Sequence, residues 1–195
     1  MDDASSPAEA VAILAEIGHL LGQVRPSEVD AAWARIVAAP RVFAFATGRS
    51  GFVLRGFVMR LNHLGKTAYY VGEASTPPIG EGDVLVAVSG SGSTATTLGA
   101  AMEAVKLGAS VVAIVGSRIS PLGQLAAAVV ELPAPHKRGV LPGSGASSSV
   151  ISRQTIGSLF EQAAFILLES LVLRRFAEVG QDPATALRRH ANLEA

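Results

Sequence analysis

Along the first forty positions apolar residues recur at helical intervals. Val11, Leu14, Ile17, Leu20 and Leu21 form one stripe, predicting a helix over 7–24 with Pro7 near its start. Val29, Trp33, Ile36 and Val37 form a second, on a helix from Ser27 to Ala38 with Ser27 as its N-cap. The pattern then changes to short apolar runs. Arg41–Ala46 (RVFAFA), Thr67–Val71 (TAYYV), Asp83–Val88 (DVLVAV), Ser110–Val115 and Val129–Leu132 predict five strands. Asp83–Val88 is unbroken in the way a strand covered on both faces requires. Helical stretches at Phe52–Leu64, Thr94–Leu107 and Pro121–Ala127 separate these runs. A long Gly-, Ser- and Pro-rich segment, 133–155, precedes the longest helix, Ile156–Val179, and 183–191 adds a last turn or two.

Two helices, then strands alternating with helices, predict an α/β fold: a three-layer, doubly wound, five-stranded parallel sheet. Either common order for such a sheet sets the strands at 41–46 and 83–88 side by side. Ligands bind where the order reverses, at the carboxyl ends of the strands. The loops leaving those two strands are TGRSG (47–51) and SGSGS (89–93), so two Gly/Ser loops converge on one crevice.

The bulk numbers narrow the setting. A length of 195 residues suits one domain, with N-terminal helices over 1–40, a sheet core over 41–132, the loop 133–155 and C-terminal helices over 156–195. Hydrophobic residues make up 49% and charged residues 16%, which suggests apolar surface covered by other subunits. Formal net charge is zero with no basic block, which argues against a nucleic-acid partner. There are no cysteines, so disulfides and thiolate metal sites are excluded. The acidic start MDDASSPAEA lacks a signal peptide's cationic region, and no apolar run reaches the roughly 18 residues of a membrane span. The expectation is a cytoplasmic protein with no membrane association.

Gly90-x-Gly92-x-x-Ala95 fits a dinucleotide fingerprint, but the loop follows the third strand and no acidic residue follows the next one. Arg118 there keeps an NADP reading open. The competing reading is a phosphate cradle. Ser89, Ser91, Ser93 and Thr94 supply hydroxyls, Gly90 and Gly92 let backbone N–H groups approach, and the helix starting near Thr94 adds its positive end. Ser93 or Thr94 acting only as a helix cap explains one hydroxyl but not four. Four scattered histidines without ligand spacing predict no zinc site.

SGSGST after a buried strand, with GRSG after an earlier one, resembles the SIS (sugar isomerase) domain. That resemblance implies a flavodoxin-like strand order, 2-1-3-4-5. GRSGFVLRGFVMRLNHLG (48–65), VGEASTPPIGEGDVLVAVSGSGST (71–94), GSLFEQAAFILLES (157–170) and RHANLE (189–194) are similar to the 6-phospho-3-hexuloisomerase family. The likeness spans the chain, although 136–156 is longer and richer in Gly and Ser than expected, and Ser93 stands where relatives often carry a charge. The resemblance implies interconversion of D-arabino-3-hexulose 6-phosphate and D-fructose 6-phosphate without metal or nucleotide cofactor. It also implies a homo-oligomer, commonly a tetramer, working after 3-hexulose-6-phosphate synthase in formaldehyde assimilation. A sugar-phosphate-sensing module on the same fold, or another phosphosugar aldose–ketose isomerase, is the alternative; sensors usually add a basic helix-turn-helix segment, which this chain lacks.

Such an isomerisation needs a base, an acid and a phosphate anchor. Glu161 has two readings. Ser158-x-x-Glu161 is a capping box, in which the carboxylate bonds back to a backbone N–H; the resemblance instead places it in the active site as the base. His190, in RHANLE, is the second candidate catalytic group, dependent on the tail reaching a neighbouring subunit. Gly48, Arg49 and Ser50 join the serine loop as substrate- or phosphate-binding residues. Glu73 is a candidate for sugar hydroxyls, His19 and His63 read as structural or interfacial, and Arg188 and Arg189 as inter-subunit or solvent contacts.

Overall fold

The computed structural model describes residues 7–135, 152–180 and 188–189. Within them the apolar runs form one sheet of β1 (Arg41–Phe45), β2 (Thr67–Tyr70), β3 (Val84–Ser89), β4 (Ser110–Val115) and β5 (Ala128–Glu131). Every pairing is parallel and the order is β2-β1-β3-β4-β5, the order that the resemblance implies. The helices are α1 (Ala8–Leu21), α2 (Pro26–Ala38), α3 (Arg49–His63), α4 (Ala95–Lys106), α5 (Pro121–Leu125) and α6 (Ser158–Glu178).

All six residues of β3 are buried, because helices cover both faces of the sheet. The two-residue period of a strand divides its side chains between two cores. Val84, Val86 and Val88 join Leu20, Ile36, Phe57 and Leu168 in the larger one, beneath α1, α2, α3 and α6. Leu85 and Ala87 join Ala101, Ala104 and Leu122 in the smaller one, beneath α4 and α5. Trp33 ties the first core's rim together, donating from Nε1 to Glu178 at 3.0 Å.

Most boundaries differ from the sequence reading by one to three residues, and three of the differences are instructive. Helix α2 starts at Pro26, with Arg25 in the cap position and Ser27 inside the first turn, since proline's fixed φ suits that place. Helix α3 starts at Arg49, three residues before Phe52, because Gly48 turns the chain at φ +63. Three of the four residues of GRSG are therefore helix. Helix α4 starts at Ala95 rather than Thr94. Most of the 133–155 loop and of the turn expected at 183–191 lies outside the described residues.

The amino ends of β1 and β3 are locked by one ion pair. Asp83 is 1% exposed and receives Arg41 Nε at 3.0 Å and Nη2 at 2.6 Å, with the Gly80 amide at 2.8 Å. Arg41 keeps contact with solvent, so its two partners are unequal. Arg41→Ala leaves a buried carboxylate with one backbone donor and is expected to cost about 3 kcal/mol. Asp83→Asn, which leaves a hydrated guanidinium, is expected to cost less. Urea denaturation of both variants checks the order; the reverse order would contradict this account of the lock.

Candidate active site

The serine loop is organised by its own hydroxyls. Ser89, 5% exposed, accepts the Gly92 amide at 3.1 Å and lies 3.1 Å from Thr94 Oγ1. Ser91 Oγ gathers the Ser93 amide and the Ser93 hydroxyl, each at 3.3 Å, and lies 3.5 Å from Thr94 Oγ1. Thr94 occupies the N-cap position of α4, yet its side chain makes no capping bond. Its hydroxyl faces the two serines instead. The helix-cap explanation therefore fails here, and the leading N–H groups of α4 carry no side-chain cap. Ser91, Ser93 and Thr94 are half-buried, forming a hydroxyl cluster at a helix N-terminus.

The glycines do something other than expected. Gly92 has φ +59, and a Cβ there would lie 2.0 Å from Ser120 Oγ. Its amide is taken by Ser89, so it shapes the loop and is no ligand donor. A Cβ on Gly90 would come within 3.3 Å of the Phe160 ring, and the Gly90 carbonyl receives the Gly116 amide at 3.1 Å. Both glycines thus serve close packing, Gly90 against Phe160 and Gly92 against Ser120, a use that the sequence reading did not foresee.

Because Phe160 rests on Gly90, the next residue, Glu161, is delivered beside the same crevice. Helix α6 starts at Ser158 behind Gly157, which has φ +96, and no side chain caps it. The capping-box geometry is absent. Glu161 Oε1 accepts instead from Arg49 Nε, joining α6 to the first turn of α3. The Glu161 side chain is 10% exposed and the Arg49 side chain 71%, so the carboxylate is fixed and the arginine reaches it from outside. The pair floors an open groove of about 500 Å³, walled by Ile13 and Ile17 of α1, Phe52 and Val53 of α3, and Phe165 and Ile166 of α6. Ser50, half-buried, follows Arg49 in the same turn.

The remaining candidates separate. Arg118 pairs with Glu131, at 3.2 Å, and with Glu28, which ties the loop after β4 to α2 and β5. Glu73 pairs with Arg55 at 3.5 Å. His19 is exposed, and His63 is half-buried at the end of α3. Arg189, expected to face another subunit or solvent, donates to the His63 carbonyl at 3.4 Å and fills the space where Gly65, at φ +81, lacks a side chain. It thus closes the C-terminus of α3 within its own chain. His190 lies outside the described residues.

A parallel sheet of this order, with a hydroxyl loop and a helix-borne carboxylate meeting where the order reverses, defines a sugar-isomerase type of domain. The family described as SIS domain matches residues 35–164, and the chain belongs to that family. A 3-hexulose-6-phosphate isomerase of Mycobacterium gastri is 39% identical over 179 residues, covering 92% of this chain and 86% of its own. One from Bacillus subtilis is 32% identical over 182 residues, covering 93% and 95%. Among solved structures, a Methanococcus jannaschii protein, whose crystal structure was read as implying 3-hexulose-6-phosphate isomerase function, superposes with a TM-score of 0.80. It is 28% identical, and the match covers 96% of this chain and 99% of that one.

Some residues of the neighbourhood had no signal in the sequence, Glu16 among them. Glu16, on α1, clamps the segment leading into α6, accepting from the Ser152 hydroxyl at 2.7 Å, the Arg153 amide at 3.0 Å and the Gln154 side-chain amide at 3.0 Å. Its helical spacing marks only a polar position beside Ile17. The Arg153 amide, followed by the Ser152 and Gln154 donors, holds its carboxyl below the usual carboxylate range. A carboxyl lowered on folding stabilises the clamp fully above the ordinary carboxylate pKa, and that contribution is lost as pH falls through the lowered value. Protection of the Arg153 amide against hydrogen exchange, corrected for intrinsic rate, is expected to fall on acidification. In Glu16→Gln it is expected to be weaker and flat with pH. A pH-independent wild-type protection would contradict the clamp.

Proposed function

We propose that the protein is a ketose isomerase, interconverting D-arabino-3-hexulose 6-phosphate and D-fructose 6-phosphate through a 2,3-enediol. The observation that carries the reading is the Glu161–Arg49 pair, set in a groove beside a hydroxyl-lined helix N-terminus, in a chain 39% identical to an enzyme of that name. The hydroxyls of Ser91, Ser93 and Thr94 and the uncapped start of α4 receive the phosphate, where hydrogen-bond donors and the helix dipole both favour an anion. Anchoring that end fixes C2 and C3 relative to α6.

Glu161 takes the proton from C2 of the hexulose and returns one to C3, while the hydroxyl proton passes between O3 and O2. Arg49, reaching in from solvent, pairs with the carboxylate in the empty site and turns to the oxygen that gains charge in the enediolate. Ser50 adds a donor at the same turn. His190 supplies the second proton-transfer group from a neighbouring subunit, since imidazole titrates in the range this shuttle needs. The exposed apolar side chains lining the groove, Phe52, Phe165 and Ile166, support assembly of copies over it; that the assembly is a tetramer rests on the family resemblance alone. Among the described residues no helix is long and apolar enough to cross a membrane. The reading places the enzyme in the cytoplasm, taking its substrate from 3-hexulose-6-phosphate synthase during formaldehyde assimilation.

In heavy water the protein is expected to exchange the C3 proton of fructose 6-phosphate, followed by NMR. Exchange at C1 would make it an aldose–ketose isomerase, and exchange at neither carbon a sensing module; either result sinks the assignment. Glu161→Gln is expected to lower turnover about a hundredfold or more with substrate affinity nearly unchanged. Steady-state kinetics with a binding titration checks this, and undiminished turnover would remove Glu161 from the chemistry.

A further inference from the structure

We infer that Tyr70 is a positioning residue for Arg49, acting through the hydrogen bond that it donates to the Ala46 carbonyl. The ladder between β1 and β2 ends with the Val71 amide on the Ala44 carbonyl at 3.0 Å. The next acceptor along β1 is the carbonyl of Ala46, just where the chain leaves the sheet for Thr47, Gly48 and Arg49. No backbone donor from β2 meets it, because the chain turns away at Gly72, φ +98, and the Glu73 amide bonds back to Tyr70. The Tyr70 hydroxyl supplies the missing rung from a side chain that is 3% exposed.

That rung carries the first turn of α3. Gly51 lies directly against it: a Cβ there would stand 2.7 Å from the Tyr70 hydroxyl and 2.8 Å from the Ala46 carbonyl oxygen. One turn further along α3, the Arg55 guanidinium lies 3.7 Å from the centroid of the Tyr70 ring and pairs with Glu73 at 3.5 Å. The tyrosine is therefore held from above by α3 and from the side by the exit of β2. The turn it braces begins with Arg49, the residue that reaches Glu161 across to α6. Tyr70 is not among the residues that line the groove. Its effect on the site passes through the placement of Gly48–Gly51.

The kinetic part of this inference rests on the isomerase reading; its spectroscopic part does not. Tyr70→Phe keeps the ring and the stacking of Arg55 and removes only the hydroxyl. It is expected to lower kcat/KM for fructose 6-phosphate about tenfold in the wild-type background. In an Arg49→Ala background, where there is no guanidinium left to place, it is expected to change kcat/KM less than twofold. A purely structural tyrosine would impose the same penalty in both backgrounds, and that result, or no penalty in either, overturns the inference. The Nε–Hε NMR signal of Arg49, assigned with Arg49→Lys, is the second measurement. It is expected to move or broaden in Tyr70→Phe, and in Gly51→Ala, while the signal of Arg41, paired with Asp83 elsewhere, stays in place. An unmoved Arg49 signal overturns the inference whether or not the protein isomerises fructose 6-phosphate.

Discussion

The site depends on one topological constraint: the sheet is built outward from β1. The chain runs from β1 to its outer neighbour β2, then returns across to β3 on the other side. Right-handed crossovers then put α3 and α4 on opposite faces. Their N-termini nonetheless emerge at the same sheet edge, one after GRSG and the other after SGSGST. Two positive helix ends and a row of hydroxyls therefore meet without any long-range side-chain contact to bring them together. The ion pair of Arg41 and Asp83, at the opposite edge, keeps the two strands in register so that the loops leave together.

What topology does not provide is a carboxylate beside the crevice, and α6 brings it. The helix crosses the face formed by α1 and α3, and its first turn comes down on the serine loop. Close contact there requires a backbone without side chain, which is why Gly90 faces Phe160. Gly92 does the same for Ser120, whose hydroxyl caps α5. The loop's glycines thus join three elements that the sheet alone would leave apart, and the serines and threonine remain the polar lining. A dinucleotide loop spends its glycines on the pyrophosphate; this one spends them on packing.

The sequence made the sheet legible because a strand covered on both faces writes itself as an unbroken apolar run. It made the crevice legible because both loops follow such runs. Glu161 was ambiguous for a physical reason: Ser158-x-x-Glu161 is a sound capping box locally, and only Arg49, 112 positions away, draws the carboxylate elsewhere. Glu16, Tyr70 and Arg55 were illegible as site elements because each works through a partner distant in the chain and sits in a helix or strand whose pattern it does not disturb. Arg189 was read as facing outward because its receptor, the end of α3 at Gly65, has no marker beyond a glycine. His190 remains a reading of the sequence.

Several departures from local rules gather around Glu161. Arg49 puts a cation at the positive end of α3, where the dipole disfavours it. Gly157 stands in the left-handed region where a serine or aspartate would cap α6 better. Phe52 leaves 72% of its surface in solvent one turn from Arg49. Each departure costs stability when taken alone, and all lie at the N-terminal ends of α3 and α6. Together they are consistent with one requirement: a carboxylate fixed inside the protein, a guanidinium free to leave it, and an apolar rim that closes only when something else covers it. A chain selected for stability alone would have kept a cation away from the positive end of α3 and buried the phenylalanine.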